Sequence, residues 1–464
     1  MGVKIKPIIV GISLVIGGCT STDKTLSDYQ NTLNLPETWQ QISEAKSIEN
    51  SWLSQLSDPQ IHQLVTQAIE NNYSLKSQAL SVAIKEQQLI VTGAAFWPSL
   101  DASMRSSRNK ANQPVSYTNN NSLNLNLSYE LDIWGKLSDA EQQANLEYLA
   151  QKASFEQAKQ TLVADVVSAW FKIIEAEKLM TLYTGRVANA EQNLSIIESG
   201  YQQGLSSALD VYLTRNEVNN ERSRVASQQA VLKQAKRVLE RLVGQYPQGL
   251  LAVDADLPLL MTDIPTGLPS ELITRKPALL ASWYQLLSKD AALAYAHKQR
   301  FPSISLTSTL GNSSPEISEL LSPSSLAWSL IGGISAPIFN GGRLAANEER
   351  ARLEREQTEQ TYLNSVFDAF TVVENALTAE QSLQQRYMAT LAAQENALAA
   401  EALSFEQYQS GLVEYTTVLE SQKRAFDAQS SVIQIKTELI TNRINLHLAL
   451  GGDFSSNTSA TQAN

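Results

Sequence analysis

Cys19 is the only cysteine among the 464 residues, so any thiol chemistry of the chain depends on this one side chain. The three histidines, His62, His297 and His447, lie far apart in the sequence. One cysteine excludes a disulfide framework, and so few Cys and His residues exclude a zinc site built mainly from them. No HExxH, GxSxG or GxxxxGK[ST] motif occurs. The residues therefore predict no catalytic centre, no metal site and no cofactor.

Cys19 ends a segment that is typical of a secretory signal. Two lysines precede an apolar run over residues 7–18, which is too short to span a bilayer as a helix. Its end, Ile16-Gly17-Gly18-Cys19, resembles the bacterial lipobox, with Ile where Leu is usual. We predict a lipoprotein signal peptide over residues 1–18 and a covalent lipid on Cys19; an ordinary signal or an uncleaved anchor is the alternative. Thr20 follows instead of the Asp associated with inner-membrane retention, which favours the outer membrane.

The charge balance limits the partners of the chain. Lys and Arg number 36 and Asp and Glu 47, which gives a net charge of −11. Loss of Lys4 and Lys6 with the signal would leave −13. A nucleic-acid partner is therefore not expected, because phosphate binding needs a basic surface. A hydrophobic content of 43% indicates a folded protein.

Short motifs that recur in order indicate an internal duplication. Their spacing is 204 residues for the first pair and 207 for the others. The pairs are Trp97-Pro98-Ser99-Leu100 with Phe301-Pro302-Ser303-Ile304, Trp134-Gly135-Lys136-Leu137 with Gly341-Gly342-Arg343-Leu344, and Tyr201-Gln202-Gln203-Gly204-Leu205 with Tyr408-Gln409-Ser410-Gly411-Leu412. The fourth match joins Leu239 and Gly244 to Leu446 and Gly451. We predict a lipidated linker over residues 19–57, repeats over 58–257 and 258–452 that each begin with one helix, and a disordered tail over 453–464.

Most of each repeat lacks helix-breaking residues. No proline occurs between Val115 and Tyr246, or after Pro337. Val163, Val166, Val167, Trp170, Ile173 and Ile174 fall on one helical face, and Leu363, Val366, Phe367, Phe370, Val373 and Leu377 nearly repeat that pattern. We predict long helical hairpins over residues 137–244 and 343–450. Their first helices would be rods about 95 Å long, at 1.5 Å per residue.

Alternating apolar and polar residues predict two strands in each repeat. They cover residues 99–108 and 123–132, then 303–310 and 326–335, with loops over 109–121 and 311–325. Amphipathic strands of about 10 residues suit a transmembrane barrel, although a small soluble sheet would show the same alternation. Four strands are too few to close a barrel alone, so the subunits would share one. Trp134, Gly135, Gly341 and Gly342 mark the switch from strand to helix.

These residues resemble the TolC-like outer-membrane efflux proteins, in particular the lipoprotein branch (NodT-type outer-membrane factors) that serves resistance-nodulation-division pumps. The resemblance covers nearly the whole mature chain. It rests on Asp58-Pro59, Asn71-Asn72, Tyr129-Glu130-Leu131-Asp132-Ile133-Trp134-Gly135-Lys136, Leu268-Pro269-Ser270-Glu271-Leu272, Arg275-Lys276-Pro277 and Pro337-Ile338-Phe339-Asn340-Gly341-Gly342. Ala278, where the family usually has Asp, and Leu56, where an aromatic is usual, depart from the pattern.

The resemblance implies a mainly α fold and a homotrimer. Three chains would form a shared 12-stranded β-barrel in outer-membrane lipid, continued by a periplasmic α-barrel of coiled-coil helices. The implied function is a passive exit duct for small molecules, joined to an inner-membrane RND-type pump by a periplasmic adaptor protein. A duct for type I protein secretion or for metal ions is the alternative. From other classes, a periplasmic scaffold would not explain the strands, and an enzyme has only chance carboxylate pairs to support it.

Two groups of residues near the hairpin turns are candidate sites. Gly204 with Leu205, and Gly411 with Leu412, interrupt otherwise unbroken helix and predict tips that contact the adaptor; a local kink with no partner is the alternative. By resemblance, Thr416 and Glu420 occupy the positions of an apolar ring and an acidic ring that narrow the periplasmic opening. Their counterparts 207 residues earlier are Leu209 and Leu213. The alternative for Glu420 is a solvated carboxylate on a helix surface.

Overall fold

The computed structural model describes residues 36, 38–40, 58–253, 255–258, 267, 269–323 and 326–452. Within this part the chain forms eight α-helices and one four-stranded sheet. The helices are α1 (Pro59–Asn71), α2 (Tyr73–Gly93), α3 (Lys136–Gln202), α4 (Ala208–Leu242), α5 (Pro269–Arg275), α6 (Pro277–Lys298), α7 (Arg343–Gln409) and α8 (Tyr415–Ala449). The strands are β1 (Ser99–Asn112), β2 (Val115–Leu131), β3 (Ser303–Ser314) and β4 (Leu326–Ser335). The prediction of a mainly helical chain with a few antiparallel strands is confirmed.

The two long helices, α3 and α7, organise the molecule. Each has 67 residues, which corresponds to about 100 Å at 1.5 Å per residue. Helix α3 packs against α2, α4 and α6, and α7 packs against α6 and α8. Each rod is therefore lined by shorter helices, and each ends in a hairpin turn that leads into a helix of 35 residues.

The apolar stripe of α3 forms the middle of the largest core. All six residues of its predicted face, from Val163 to Ile174, are buried. They pack against α1 and the ends of α4 and α8. A second core joins α6 to α7, where Trp283 contacts Tyr362. The predicted face of α7 is only partly correct, because the Phe367 side chain is 53% exposed.

Each repeat begins with two helices instead of the single helix that we predicted. Asn72 separates α1 from α2, and its side chain caps α2 by accepting a hydrogen bond from the Leu75 amide at 3.0 Å. The same side chain donates to the Leu242 carbonyl at the end of α4. One polar residue therefore ends a helix, starts the next and fixes both to α4.

The strands run in the order β1-β2-β3-β4, all antiparallel. The predicted loop over residues 109–121 is wrong, because β1 and β2 continue to Asn112 and Val115 and leave only Gln113 and Pro114 as the turn. Strand β3 likewise continues to Ser314, which shortens the second predicted loop. Both extensions consist mainly of Ser, Asn and Thr, whose lack of alternation hid them.

The register divides the sheet into an apolar face and a polar face. Ala102, Leu125, Leu310 and Trp328 stand side by side across the four strands. One residue along, Asp101, Asn126, Thr309 and Ser329 form a polar row on the opposite face. The Thr309 hydroxyl donates to the Asn126 side chain at 3.2 Å there. The predicted alternation is thus carried through all the strands in phase.

None of the helices in the described ranges is both long enough and apolar enough to cross a membrane.

Candidate functional site

The passage from sheet to rod is built around glycines with positive φ. Gly135 (φ 72°) directly precedes α3, and Gly342 (φ 83°), preceded by Gly341 (φ 61°), directly precedes α7. These left-handed conformations are strained for residues with a Cβ. The four predicted switch residues, Trp134, Gly135, Gly341 and Gly342, therefore lie where the chain turns from strand to helix.

Side chains fix the direction of α3 at this junction. The Asp132 carboxylate accepts hydrogen bonds from the amides of Leu137 and Ser138, at 2.8 and 2.9 Å. The Trp134 indole donates to the Pro302 carbonyl at 2.6 Å and so joins the first junction to the start of β3. Trp134 is thus a junction residue that binds one repeat to the other.

The far end of each rod is a tight turn of the same design. Gly204 (φ 77°) and Gly411 (φ 70°) are left-handed, and the following amides, of Leu205 and Leu412, donate back to the Gly200 and Gln407 carbonyls. The distances are 2.8 and 2.9 Å, and the pattern is that of a Schellman helix end. Gly244 and Gly451 end α4 and α8 in the same way. The duplication therefore extends to the hydrogen bonds of the turns.

The two turns lie together at one end of the molecule. Ile197 and Val211, beside the first turn, pack with Tyr415 and Val418, which follow the second. The Tyr408 and Tyr415 rings lie 5.3 Å apart. Outside this small core, Leu205 and Leu412 are 79% and 73% exposed. Sequence reasoning singled out these exposed leucines and missed Tyr415, whose burial no periodicity indicated.

The candidate constriction residues lie just beyond the turns. Thr416 and Glu420 are exposed on the first turns of α8, and Leu209 is exposed on the matching part of α4, where Leu213 is half-buried. The Glu420 carboxylate lies 2.9 Å from the Arg424 guanidinium, one helical turn further on. The acidic position therefore carries a counter-charge that the sequence analysis did not consider.

A charge cluster around the buried Glu221 joins the two hairpins about three to five helical turns from the tip, and sequence reasoning missed it. The Arg186 guanidinium of α3 lies 2.8 Å from Glu221 and 2.7 Å from Glu217, both on α4. It also donates to the Gln422 carbonyl of α8 at 3.1 Å and lies over the Phe426 ring. Burial raises the pKa of the Glu221 carboxyl above its ordinary value, although the Arg186 and Arg224 guanidinium groups act to lower it.

The described residues contain no cluster of three or more His, Cys, Asp or Glu side chains that could hold a metal ion. Cys19, the predicted lipid attachment point, lies outside the described residues, as do the predicted signal peptide and tail. The described chain thus consists of a sheet with one apolar face, two rods and a pair of tips.

Such a sheet, continuous with paired rods of about 100 Å, defines an outer-membrane channel protein with a long helical extension. The chain belongs to the outer membrane efflux protein family, whose family model matches residues 64–245 and 268–452. It is an efflux channel of the outer membrane, and the proteins of its family and its structural neighbours are channels.

Individual relatives resemble the chain over most of its length. It is 29% identical to a probable outer membrane lipoprotein, SilC, of Salmonella typhimurium, over 97% of this chain and 99% of that one. It is 30% identical to the cation efflux system protein CusC of Escherichia coli, over 84% and 86% of the two chains. The toluene efflux pump outer membrane protein TtgC of Pseudomonas putida is 27% identical, with 96% and 95% covered. A solved structure of CusC superposes with a TM-score of 0.83 at 26% identity, covering 90% of this chain and 97% of that one.

Proposed function

We propose that three copies of this chain form one duct across the periplasm and the outer membrane. The observation that carries the proposal is the sheet, whose outer strands β1 and β4 each have one hydrogen-bonded neighbour in the described chain. Open sheet edges are not stable in lipid, because their backbone groups find no partner there. Pairing β4 of one subunit with β1 of the next would close the sheet as a shared barrel, and three copies, the number that the resemblance to the TolC-like proteins implies, would give twelve strands.

The apolar face has the height that a membrane requires. It extends along β2 from Leu123 to Leu131, which is about 27 Å of strand at 3.4 Å per residue. A strand tilt of about 40° reduces this to roughly 20 Å, close to the ~25 Å apolar band of outer-membrane barrels. We infer that this face contacts lipid and that the polar face lines the duct.

Exposed apolar residues on the rods support contact between subunits. Leu353, Phe367, Val372 and Met388 of α7 are between 49% and 56% exposed in the single chain. Covering these side chains with a second rod would contribute about 25 cal/mol of favourable free energy for each Å² of apolar surface removed from water. The rods of three subunits would then enclose a periplasmic tunnel that continues the barrel.

Energy and cargo come from other proteins in this proposal. The exposed tips at Gly204–Leu205 and Gly411–Leu412 are the adaptor contact, and the adaptor connects the duct to an inner-membrane RND-type pump. A covalent lipid on Cys19, with the signal over residues 1–18 removed, adds an anchor of about 0.8 kcal/mol per buried CH₂ group. Thr416 and Glu420, with their counterparts Leu209 and Leu213 in the first repeat, narrow the opening.

The cargo that we favour is small organic molecules. TtgC is named for toluene efflux, whereas CusC is named for cation efflux, so metal-ion efflux remains the second candidate. The described residues contain no metal-binding cluster on which to build a metal route. Removing the gene should therefore raise sensitivity to organic compounds more than to metal salts; the opposite order would favour metal-ion efflux.

The trimer is tested with paired cysteines. Asp101→Cys on β1 is combined in turn with Ser329→Cys, Ile331→Cys and Gly333→Cys on β4, and oxidation should give linked trimers for at least one register. Asn126→Cys with Thr309→Cys, which face each other within a subunit, is the control and should give no larger species. Native mass measurement should give three chains, and planar bilayers should show conductance. A monomer without conductance or cross-links would overturn the proposal.

Lipidation has its own test. Palmitate labelling should mark the wild-type protein and not Cys19→Ser. Label that persists in Cys19→Ser would contradict the assignment.

A further inference from the structure

The β1–β2 hairpin continues beyond the apolar band of the sheet. On the apolar face, Met104 pairs with Leu123, and the next row, Ser106 with Asn121, is polar. Arg108 and Lys110 follow on the same face, because residues two apart on a strand share a face. Arg108 lies about 14 Å along the strand from Met104. This hairpin end is the one that lies away from the rods.

Arg108 and Lys110 share one aromatic partner. The Arg108 guanidinium carbon lies 4.9 Å from the centre of the Tyr117 ring, and the Lys110 ammonium lies 5.8 Å from it. Tyr117 is directly opposite Lys110 in the register. Both distances are within the range of cation–π attraction, which holds the two cations side by side. No ion pair joins either cation to a carboxylate in the described ranges of the chain.

The net charge of the β1–β2 hairpin is opposite in sign to that of the whole protein. Residues 102–129 contain Arg105, Arg108 and Lys110 and no Asp or Glu, although the chain as a whole carries −11. Asn119, which is directly opposite Arg108 and on the same face, adds a neutral side-chain amide with two N–H donors. Two adjacent cations beside such donors form a surface suited to phosphate oxygens.

We propose that Arg108, Lys110 and Tyr117, the rim patch, bind the phosphorylated headgroup of a lipid in the outer leaflet. The proposal rests on the proposed function, because it requires the apolar face to contact lipid. The apolar rows would hold the acyl chains, and the rim patch would lie at headgroup height, where each nearby cation strengthens binding to anionic lipid. Arg105 does not take part, because it lies on the opposite face.

The test compares two charge-neutralising variants of the full-length protein. Wild type, Arg108→Gln/Lys110→Gln and Arg105→Gln are placed in nanodiscs of phosphatidylcholine containing a small fraction of bisphosphorylated lipid A. Native mass measurement after detergent release then counts the retained lipid A. We expect the double variant to retain on the order of tenfold less than wild type, and Arg105→Gln to retain as much as wild type. Equal retention by the double variant, or an equal loss in Arg105→Gln, would overturn the proposal.

Two further measurements distinguish a lipid site from a free-phosphate site, and a failed rim patch from a failed duct. Inorganic phosphate at the same phosphate concentration should not displace lipid A; full displacement would indicate a site for free phosphate and would contradict a lipid site. Trimer mass and bilayer conductance are recorded on the same samples. Unchanged lipid retention in the double variant, with trimer mass and conductance intact, would refute the rim patch alone. If the wild-type protein shows neither a trimer nor conductance, the proposed duct itself is refuted.

Discussion

The Arg186 guanidinium on α3 donates a hydrogen bond to the backbone carbonyl of Gln422 on α8 at 3.1 Å. These residues are 236 positions apart, on different hairpins. The same guanidinium pairs with Glu217 and with Glu221, which is fully buried. One side chain therefore joins the first hairpin to the second in the half of the rods nearer the hairpin turns.

Arg186→Ala is expected to loosen this connection. Glu221 would keep its burial and lose its nearest cation, and such a loss typically costs about 3–5 kcal/mol. Amide hydrogen exchange over residues 418–426 should accelerate by about a hundredfold or more, as measured by mass spectrometry. Arg222→Ala is the control, because Arg222 and its partner Glu191 are largely exposed, and it should change exchange by less than about fivefold. Adding Glu221→Gln to Arg186→Ala should restore part of the protection; no restoration would exclude the buried charge as the cause.

Glu240 is expected to make the stability of the loop over residues 249–251 depend on pH. Its carboxylate accepts hydrogen bonds from the amides of Gly249, Leu250 and Leu251, at 2.6, 2.8 and 3.1 Å. Burial acts to raise the pKa of this carboxyl, but the backbone amides outweigh it and the pKa lies below its ordinary value. A lowered folded-state pKa means that the stabilisation is complete above the unfolded value of about 4.3 and is lost as pH falls through the folded value.

Hydrogen exchange of residues 249–251 checks this. In wild type, protection corrected for the intrinsic pH dependence should hold between pH 7 and 5 and fall below pH 4. Glu240→Gln should lack that protection already at pH 7, at a cost of about 2–3 kcal/mol. Glu198→Gln, which alters a half-exposed ion pair with Arg215, should leave it intact. Protection of this loop that does not change with pH in wild type would contradict a stabilising role of the Glu240 carboxylate.

Gly204→Ala is expected to lower the thermal stability of the protein, whereas Gly185→Ala is expected to keep or raise it. Neither new Cβ would meet an atom within 4 Å, so only the backbone decides. Gly204 has φ 77°, where alanine is strained by about 1–2 kcal/mol, whereas Gly185 lies within α3, where alanine is favoured by up to about 1 kcal/mol. Thermal unfolding of the purified protein should shift down for the first variant and not for the second.

Drug resistance in cells adds a functional measurement to the same position. If the tip contacts an adaptor, the bulkier Gly204→Val and Gly411→Val variants should lower resistance while trimer assembly is kept. Full resistance in both valine variants would argue against an adaptor contact at these turns.

Glu420 and Arg424 are expected to act in opposite directions on ion flow. If Glu420 lines the opening, Glu420→Ala should raise conductance and lower the preference for cations. Arg424→Ala should increase cation preference, because it removes the positive partner 2.9 Å away. Planar bilayer recordings of the purified protein test both, with Glu349→Ala, an exposed glutamate at the sheet end of α7 that pairs with Arg352, as the distant control. Unchanged selectivity in both variants would place this pair outside the opening.

The sequence predicted best those elements whose environment is the protein itself. The stripe around Trp170 is buried on all sides, and a period of 3.6 residues identified it. Phe367 has the same spacing but lies on the surface of the chain, because the spacing of apolar residues does not show which of them another helix of the chain covers. The sequence identified Gly204 and Gly411 because the residue that ends a helix often has a positive φ, and glycine adopts this conformation most easily.

The features that were missed have no periodic signature. The strand ends near Asn112 and Val115 are polar on both faces, so alternation ends before the hydrogen bonds do. Arg186 is one charged residue among many on a long helix, and its partners are 31, 35 and 236 positions away. Only the folded chain brings them together.

The distance from the sheet to the tips is set twice, once by the helices of each repeat. Helices α3 and α7 each have 67 residues and their return helices each have 35, so both tips stop at the same level. Deleting seven residues from α3 and seven from α4 would withdraw one tip by about 10 Å and leave the other in place. To match a wider or narrower distance between the two membranes of a cell, both hairpins would have to be lengthened or shortened by the same number of residues.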